Sequence, residues 1–213
     1  MNRLMRSLML AASVVAGIGA ASGAAASDAQ WSSSLRETDV VYAPRGYQQL
    51  CAARPEFCVA QQTANEVSTV LANLRRLYGQ QYAAIDAPEL TEARYQQLVR
   101  VNLTVNQTIR PAEDASGDIW SFSSIAGDCE EYVLMKRETL AALGWPRSAM
   151  RIGVVKGQRY PYHAILIVST KGGEFVLDNM TDEMTRVEDS PYTFVVSESA
   201  RMPGKWVRVH QTR

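Results

Sequence analysis

Ala126-Gly127-Asp128-Cys129-Glu130-Glu131-Tyr132 opens a run of helical character that continues over residues 133–143 and stops at Gly144-Trp145-Pro146. Val133, Lys136, Arg137 and Leu140 keep helical spacing, and glycine with proline just beyond is a C-terminal stop signal. Cys129 therefore falls in the first turn, where unpaired backbone N–H groups and the positive end of the helix dipole favour a thiolate. Two later segments answer it: residues 160–168, which carry His163, and residues 174–179, which carry Asp178. Thiol, imidazole and carboxylate in this order predict a nucleophile, its base and the acid that orients the base.

Upstream of this stretch the apolar residues step by three and four. Val67, Val70, Leu71, Leu74 and Tyr78 stripe a helix over 63–78, and Tyr95, Leu98, Val99, Val105 and Ile109 stripe another over 91–109. Asn102 and Asn106 lie on or beside the second stripe, and half-buried amides there are expected to bridge to loop backbone. Residues 111–125 form a loop with Asp114, Asp118 and Trp120 that leads straight to Cys129. Trp120 reads equally as a cleft wall or as ordinary core. Downstream the pattern shortens. Runs at 151–155, 162–168, 174–177, 192–196 and 205–209, divided by Gly, Pro, Ser and Asp, predict an antiparallel sheet. Helices first and strands second make an α+β domain.

The hairpin between His163 and Asp178 has two readings. With Thr170-Lys171 as its loop, His163 lies directly across from Asp178. With Gly172-Gly173 as its loop, Asp178 faces Ile167, four residues or about 13 Å from His163. Both keep the two side chains on one face. The glycine pair favours the unproductive register, so a productive one needs a longer loop or a bulge. His163 is assigned as the base, and His210, near the C-terminus without an obvious acid partner, is left on the surface.

The first residues read as an export signal, with Arg3 and Arg6, an apolar stretch over 8–18, and Ala24-Ala25-Ala26 before cleavage near Ser27. The apolar stretch is shorter than the roughly 20 residues that span a bilayer. Removing residues 1–26 from 213 leaves 187, enough for one domain, with 20 basic residues against 22 acidic and a net charge of −2. No basic block marks a nucleic-acid partner, and no later stretch predicts stable membrane insertion after cleavage. Residues 27–42 are expected to be a flexible lead-in or an edge element before a domain over 43–213.

Three cysteines in an exported chain leave one over. Cys51 and Cys58 flank a short segment that an oxidising compartment would close as a disulfide, holding a helix and turn over 47–57. That leaves Cys129 as the free thiol, either reactive or buried and inert. Asp128, Glu130 and Glu131 crowd it with negative charge, which raises a thiol's pKa against the helix terminus. They also suit the helix dipole as ordinary first-turn acids. If all three face the site, calcium would resolve the conflict, with Asp114 and Asp118 as further oxygen donors.

Gly127 to Tyr132 with Lys136-Arg137, Tyr162-His163-Ala164, and Val176-Leu177-Asp178-Asn179 resemble the bacterial transglutaminase-like cysteine proteinases, a family that includes the LapG-type periplasmic proteases. Val101-Asn102, Val105-Asn106, Asp118-Ile119-Trp120 and Trp206-Val207 extend the resemblance over residues 43–209. It implies a papain/transglutaminase-like α+β fold, with N-terminal helices and the nucleophile at the start of a central helix packed on an antiparallel sheet. It implies a triad of Cys129, His163 and Asp178 and a calcium site of Asp128, Glu130 and Glu131, where the family commonly has Asp in place of Glu131. For LapG-type members it further implies cleavage of a large surface adhesin at small-residue sites such as paired alanines, to control biofilm attachment. It also implies restraint by an inner-membrane cyclic di-GMP receptor.

On this reading Cys129 attacks a peptide carbonyl, His163 moves the proton and Asp178 fixes the imidazole, with the Cys129 N–H as one oxyanion donor and the second unassigned. The same acyl-enzyme passed to an amine would give transamidase or amidase chemistry. A non-catalytic periplasmic binding module is the alternative of a different class.

Overall fold

The computed structural model describes residues 33–58, 87–115, 117–157, 161–202 and 204–212. The predicted helix over 63–78 and the export signal over 1–26 lie outside the described residues. Three helices are described: α1 (Arg45–Ala53), α2 (Glu92–Thr108) and α3 (Cys129–Ala142). The strands are β1 (Leu35–Val41), β2 (Arg110–Pro111), β3 (Ala126–Gly127), β4 (Met150–Lys156), β5 (His163–Thr170), β6 (Gly173–Leu177), β7 (Thr185–Arg186), β8 (Thr193–Glu198) and β9 (Trp206–Gln211).

Seven strands form one antiparallel sheet in the order β1-β9-β8-β4-β5-β6-β7. The fold is the α+β arrangement the sequence predicts, with one difference at its start. Residues 35–41 are the edge strand, so the sheet begins within the stretch read as lead-in or edge. Leu35 is buried there while most of the strand alternates outward. Although β1 and β6 stand far apart in strand order, Ser33 Oγ and Ser34 N donate to Glu174 Oε2 at 2.8 and 2.7 Å. The sheet therefore curls until its two ends meet. That curl buries a cluster of Leu35, Val155, Ile165, Ile167, Val176 and Val209 on the inner side.

The other face carries the helices. Leu98, Val101 and Val105 of α2 and Val133, Leu134 and Leu140 of α3 pack with Ile152, Leu166, Val168 and Leu177 of the sheet. Alternate residues of β5 thus serve two cores, which is why all eight are buried. Arg137 on α3 donates to both Glu198 oxygens at 3.2 Å, and the same carboxylate accepts from Tyr47 Oη and Ile152 N. One buried acid so ties α1, α3, β4 and β8 together. Cys51 and Cys58 are bonded, closing the turn after α1 as the sequence predicts.

A short parallel pair fixes the start of α3. β2 pairs with β3, Arg110 opposite Ala126, and Tyr132 Oη donates to Ile109 O at 2.6 Å. The end of α2 and the start of α3 are thereby held side by side.

Candidate active site

Cys129 is the first residue of α3, and Asp128 is its N-cap. Glu131, one turn in, reaches back: its Oε2 accepts from Asp128 N at 3.1 Å, and its Oε1 accepts from Ser121 N at 2.8 Å and Ser121 Oγ at 2.9 Å. The carboxylate is buried and staples the loop before the helix to the helix start. Gly127 makes this possible, since a Cβ there would come within 2.6 Å of the Glu131 side chain. Of the acids read as metal ligands, Glu131 is thus committed to backbone and hydroxyl donors. Asp128 and Glu130 remain around the sulfur.

Those two and Cys129 bring their ligand atoms within 4.8 Å of one another. Sγ donates to Glu130 Oε2 at 3.0 Å. Burial, then the Glu130 charge and that hydrogen bond, push the Cys129 thiol well above its ordinary range, against a lowering contribution from the Ala164 N–H. Burial and hydrogen bonding to Asp128 likewise push Glu130 up to about 9. Burial first, and the crowded acids after it, therefore outweigh the helix terminus that favours a thiolate. Asp128 Oδ1 is buried with no hydrogen-bond partner. An orphaned carboxylate oxygen, an acid that holds its proton and a set of hard oxygen donors fit a cation such as calcium. Asp118 lies against Glu130, but its own oxygens also accept from Gly46 N and Trp120 Nε1. Asp114 is turned to Ile119 N at 2.6 Å and is not among the clustered ligands.

His163 begins β5, and its Nε2 lies 2.7 Å from Asp178 Oδ1. The hairpin adopts neither of the two predicted registers. Thr170 pairs with Gly173 and Leu166 with Leu177, so Lys171-Gly172 is the loop and Asp178 falls one residue past the end of β6. Continued, this intermediate register would set Asp178 opposite Ile165, with His163 as its diagonal neighbour, a distance two side chains can bridge. Gly173 at φ 122° and the Thr170 hydroxyl, bonded to Gly172 N and Gly173 O, make that tight loop. Asp178 Oδ1 also accepts from Met180 N at 3.0 Å, and Oδ2 accepts from Tyr192 Oη at 2.6 Å. Burial raises the Asp178 pKa, but His163, Met180 N and Tyr192 together hold it below the usual carboxylate range.

The turn that carries Asp178 is held from α2 as expected of the two amides. Asn102 Nδ2 donates to Thr181 O and Asp182 O, and Asn106 Nδ2 to Asp178 O and Thr181 O. From α3 comes a residue whose importance the spacing did not reveal: Lys136 is wholly buried, its Nζ without a hydrogen-bond partner. Burial lowers its pKa to about 7 despite the opposing charges of Asp178 and Asp182. Tyr192 was equally unforeseen, because no hairpin register joins it to Asp178: it precedes β8, which β4 and β5 separate from β6 in the sheet.

Cys129 and His163 line one cavity of about 470 Å³ with Glu130, Trp120, Ala164 and Tyr42. Trp120 satisfies both of its readings, buried against Tyr47 at a centroid distance of 5.3 Å while walling the cavity. His210 is exposed, as expected. Among the described residues no helix is long and apolar enough to cross a membrane.

A family model, the bacterial transglutaminase-like cysteine proteinases, matches residues 37–213. Calcium-bound LapG of Legionella pneumophila is similar at 24% identity, covering 53% of this chain and 68% of that one, with a TM-score of 0.47. LapG of the same organism at 25% identity covers 53% and 68% (TM-score 0.46), and its EGTA-treated form at 25% covers 53% and 66% (TM-score 0.46). No curated protein matches the sequence.

Proposed function

Because the chain belongs to the bacterial transglutaminase-like cysteine proteinases, and is thus a cysteine peptidase acting on a protein substrate, we propose that Cys129, His163 and Asp178 form its catalytic triad. The observation that carries this is the 2.7 Å contact between His163 Nε2 and Asp178 Oδ1 beside a free thiol on the same cavity. With Nε2 committed to the acid, Nδ1 is the ring nitrogen that accepts the thiol proton. The thiolate then adds to the peptide carbonyl, and the Cys129 backbone N–H is one donor to the resulting oxyanion. The imidazolium returns its proton to the leaving amine, and the C–N bond breaks to leave a thioester. Water, deprotonated by His163, completes hydrolysis.

Asp128 and Glu130 would hold calcium, with Glu131 fixing Asp128 from behind. A bound ion would supply positive charge to offset the acids around the thiol. The family likeness and the export signal expected over 1–26 support a periplasmic enzyme that trims a large surface adhesin at a small-residue site under a cyclic di-GMP receptor. The test is direct: purified protein in calcium is mixed with exported proteins of the same cell and the products are identified by mass spectrometry. The reading expects one large surface protein to be shortened by wild type and left whole by Cys129→Ala. Cleavage that persists in Cys129→Ala would end it.

A further inference from the structure

Asp178 stands outside the strand ladder, so the aim of its carboxylate depends on side-chain partners. Oδ1 serves His163 and the Met180 N–H, and Oδ2 is held at 2.6 Å by Tyr192 Oη, from the residue before β8. The Tyr192 ring also lies beside the imidazole, with centroids 5.8 Å apart. Its place is built into the fold. The ring packs against the inner core cluster, and a Cβ at Gly157, just past β4, would come within 2.9 Å of its Cε1. A carboxylate held on both oxygens cannot swing about its last torsion. One held on Oδ1 alone can, and the imidazole it steers then loses its orientation toward the sulfur.

We propose that Tyr192 is a positioning residue of the peptidase: its hydroxyl anchors Oδ2 of Asp178 and so commits Oδ1 to His163. The inference rests on the triad reading and adds a fourth side chain to it. It also gives Gly157 a role, as the gap that lets the tyrosine ring reach the acid.

The test follows turnover of a quenched fluorescent peptide containing an Ala-Ala bond and, independent of substrate, iodoacetamide alkylation of Cys129, both in calcium. Tyr192→Phe keeps the ring and removes the hydroxyl. It should lower kcat about tenfold with KM unchanged and slow alkylation by a similar factor. Gly157→Ala should do the same by displacing the ring. The double variant should be no worse than Tyr192→Phe, because both act through one hydrogen bond. A kcat within about twofold of wild type in Tyr192→Phe, or effects that multiply in the double variant, would overturn the proposal. Asp178→Asn separates the two readings. If it leaves activity intact the triad fails, whereas if it alone is inactive only the role of Tyr192 fails.

Discussion

His163 and Asp178 meet with their hydrogen bonds made, whereas Cys129 meets its neighbours as one member of a crowd of acids. On the first side, two side chains and a backbone N–H hold the carboxylate, and α2 clamps the turn that bears it. On the second side the thiol donates to Glu130, Glu130 is pushed up to about 9, and Asp128 Oδ1 lacks a partner. In the proposed triad the base is preorganised by the chain itself, and the thiol is set among acids that a bound cation would neutralise. A protease built this way can be idle while fully folded.

Breaking the preorganised half should have the larger effect. Asp178→Ala should lower kcat/KM by roughly a thousandfold or more in calcium, because the imidazole loses its tautomer and aim. A loss under about tenfold would move the weight away from this half. Calcium removal attacks the other half: EGTA should slow alkylation of Cys129 by about a hundredfold, given that each pKa unit on a thiol is tenfold in thiolate. An equal rate with and without EGTA would remove the cation from the account. Glu130→Gln sharpens the contrast, since removing one of the two carboxylates that would hold the ion should weaken the calcium response about tenfold, and an undiminished response would take Glu130 out of the cation site.

The smallest effect concerns stability. Lys136 has its pKa lowered by burial to about 7, so between that value and its ordinary 10.5 the unfolded chain binds a proton that the folded chain does not. Its contribution to stability should therefore rise with pH, by about 1.4 kcal/mol per unit across that window. Urea melts of wild type and Lys136→Met at several pH values isolate it. The difference between their slopes should take that sign, and parallel profiles would show that Lys136 stays charged in the fold.

Much of this was readable in advance where chemistry is local. The glycine, cap and acid pattern around Cys129 announced a helix start, and Asn102 and Asn106 bridge to loop backbone as half-buried amides must. The spacing of Cys51 and Cys58 announced their bond. What failed to show was set by pairing across distance. The hairpin took a register between the two considered because the Thr170 hydroxyl and Gly173 close a Lys171-Gly172 loop. Tyr192 meets Asp178 only once the sheet brings β8 near β6 around β4 and β5, and no local pattern marks it. Lys136 was legible as a helix position and as part of the family motif, but nothing in the spacing marked it as buried. Nor did any local pattern show that the Glu131 side chain folds back onto Ser121 and the Asp128 N–H.

The central claim is that the sulfur of Cys129 forms the covalent intermediate with His163 as its base. An activated ester of an acetylated Ala-Ala dipeptide, mixed in calcium, quenched within one turnover and read by intact and peptide mass spectrometry, tests it directly. The account predicts a thioester on Cys129 in wild type and almost none over the same time in His163→Ala. An adduct on another residue, or one that forms as fast without His163, would contradict it.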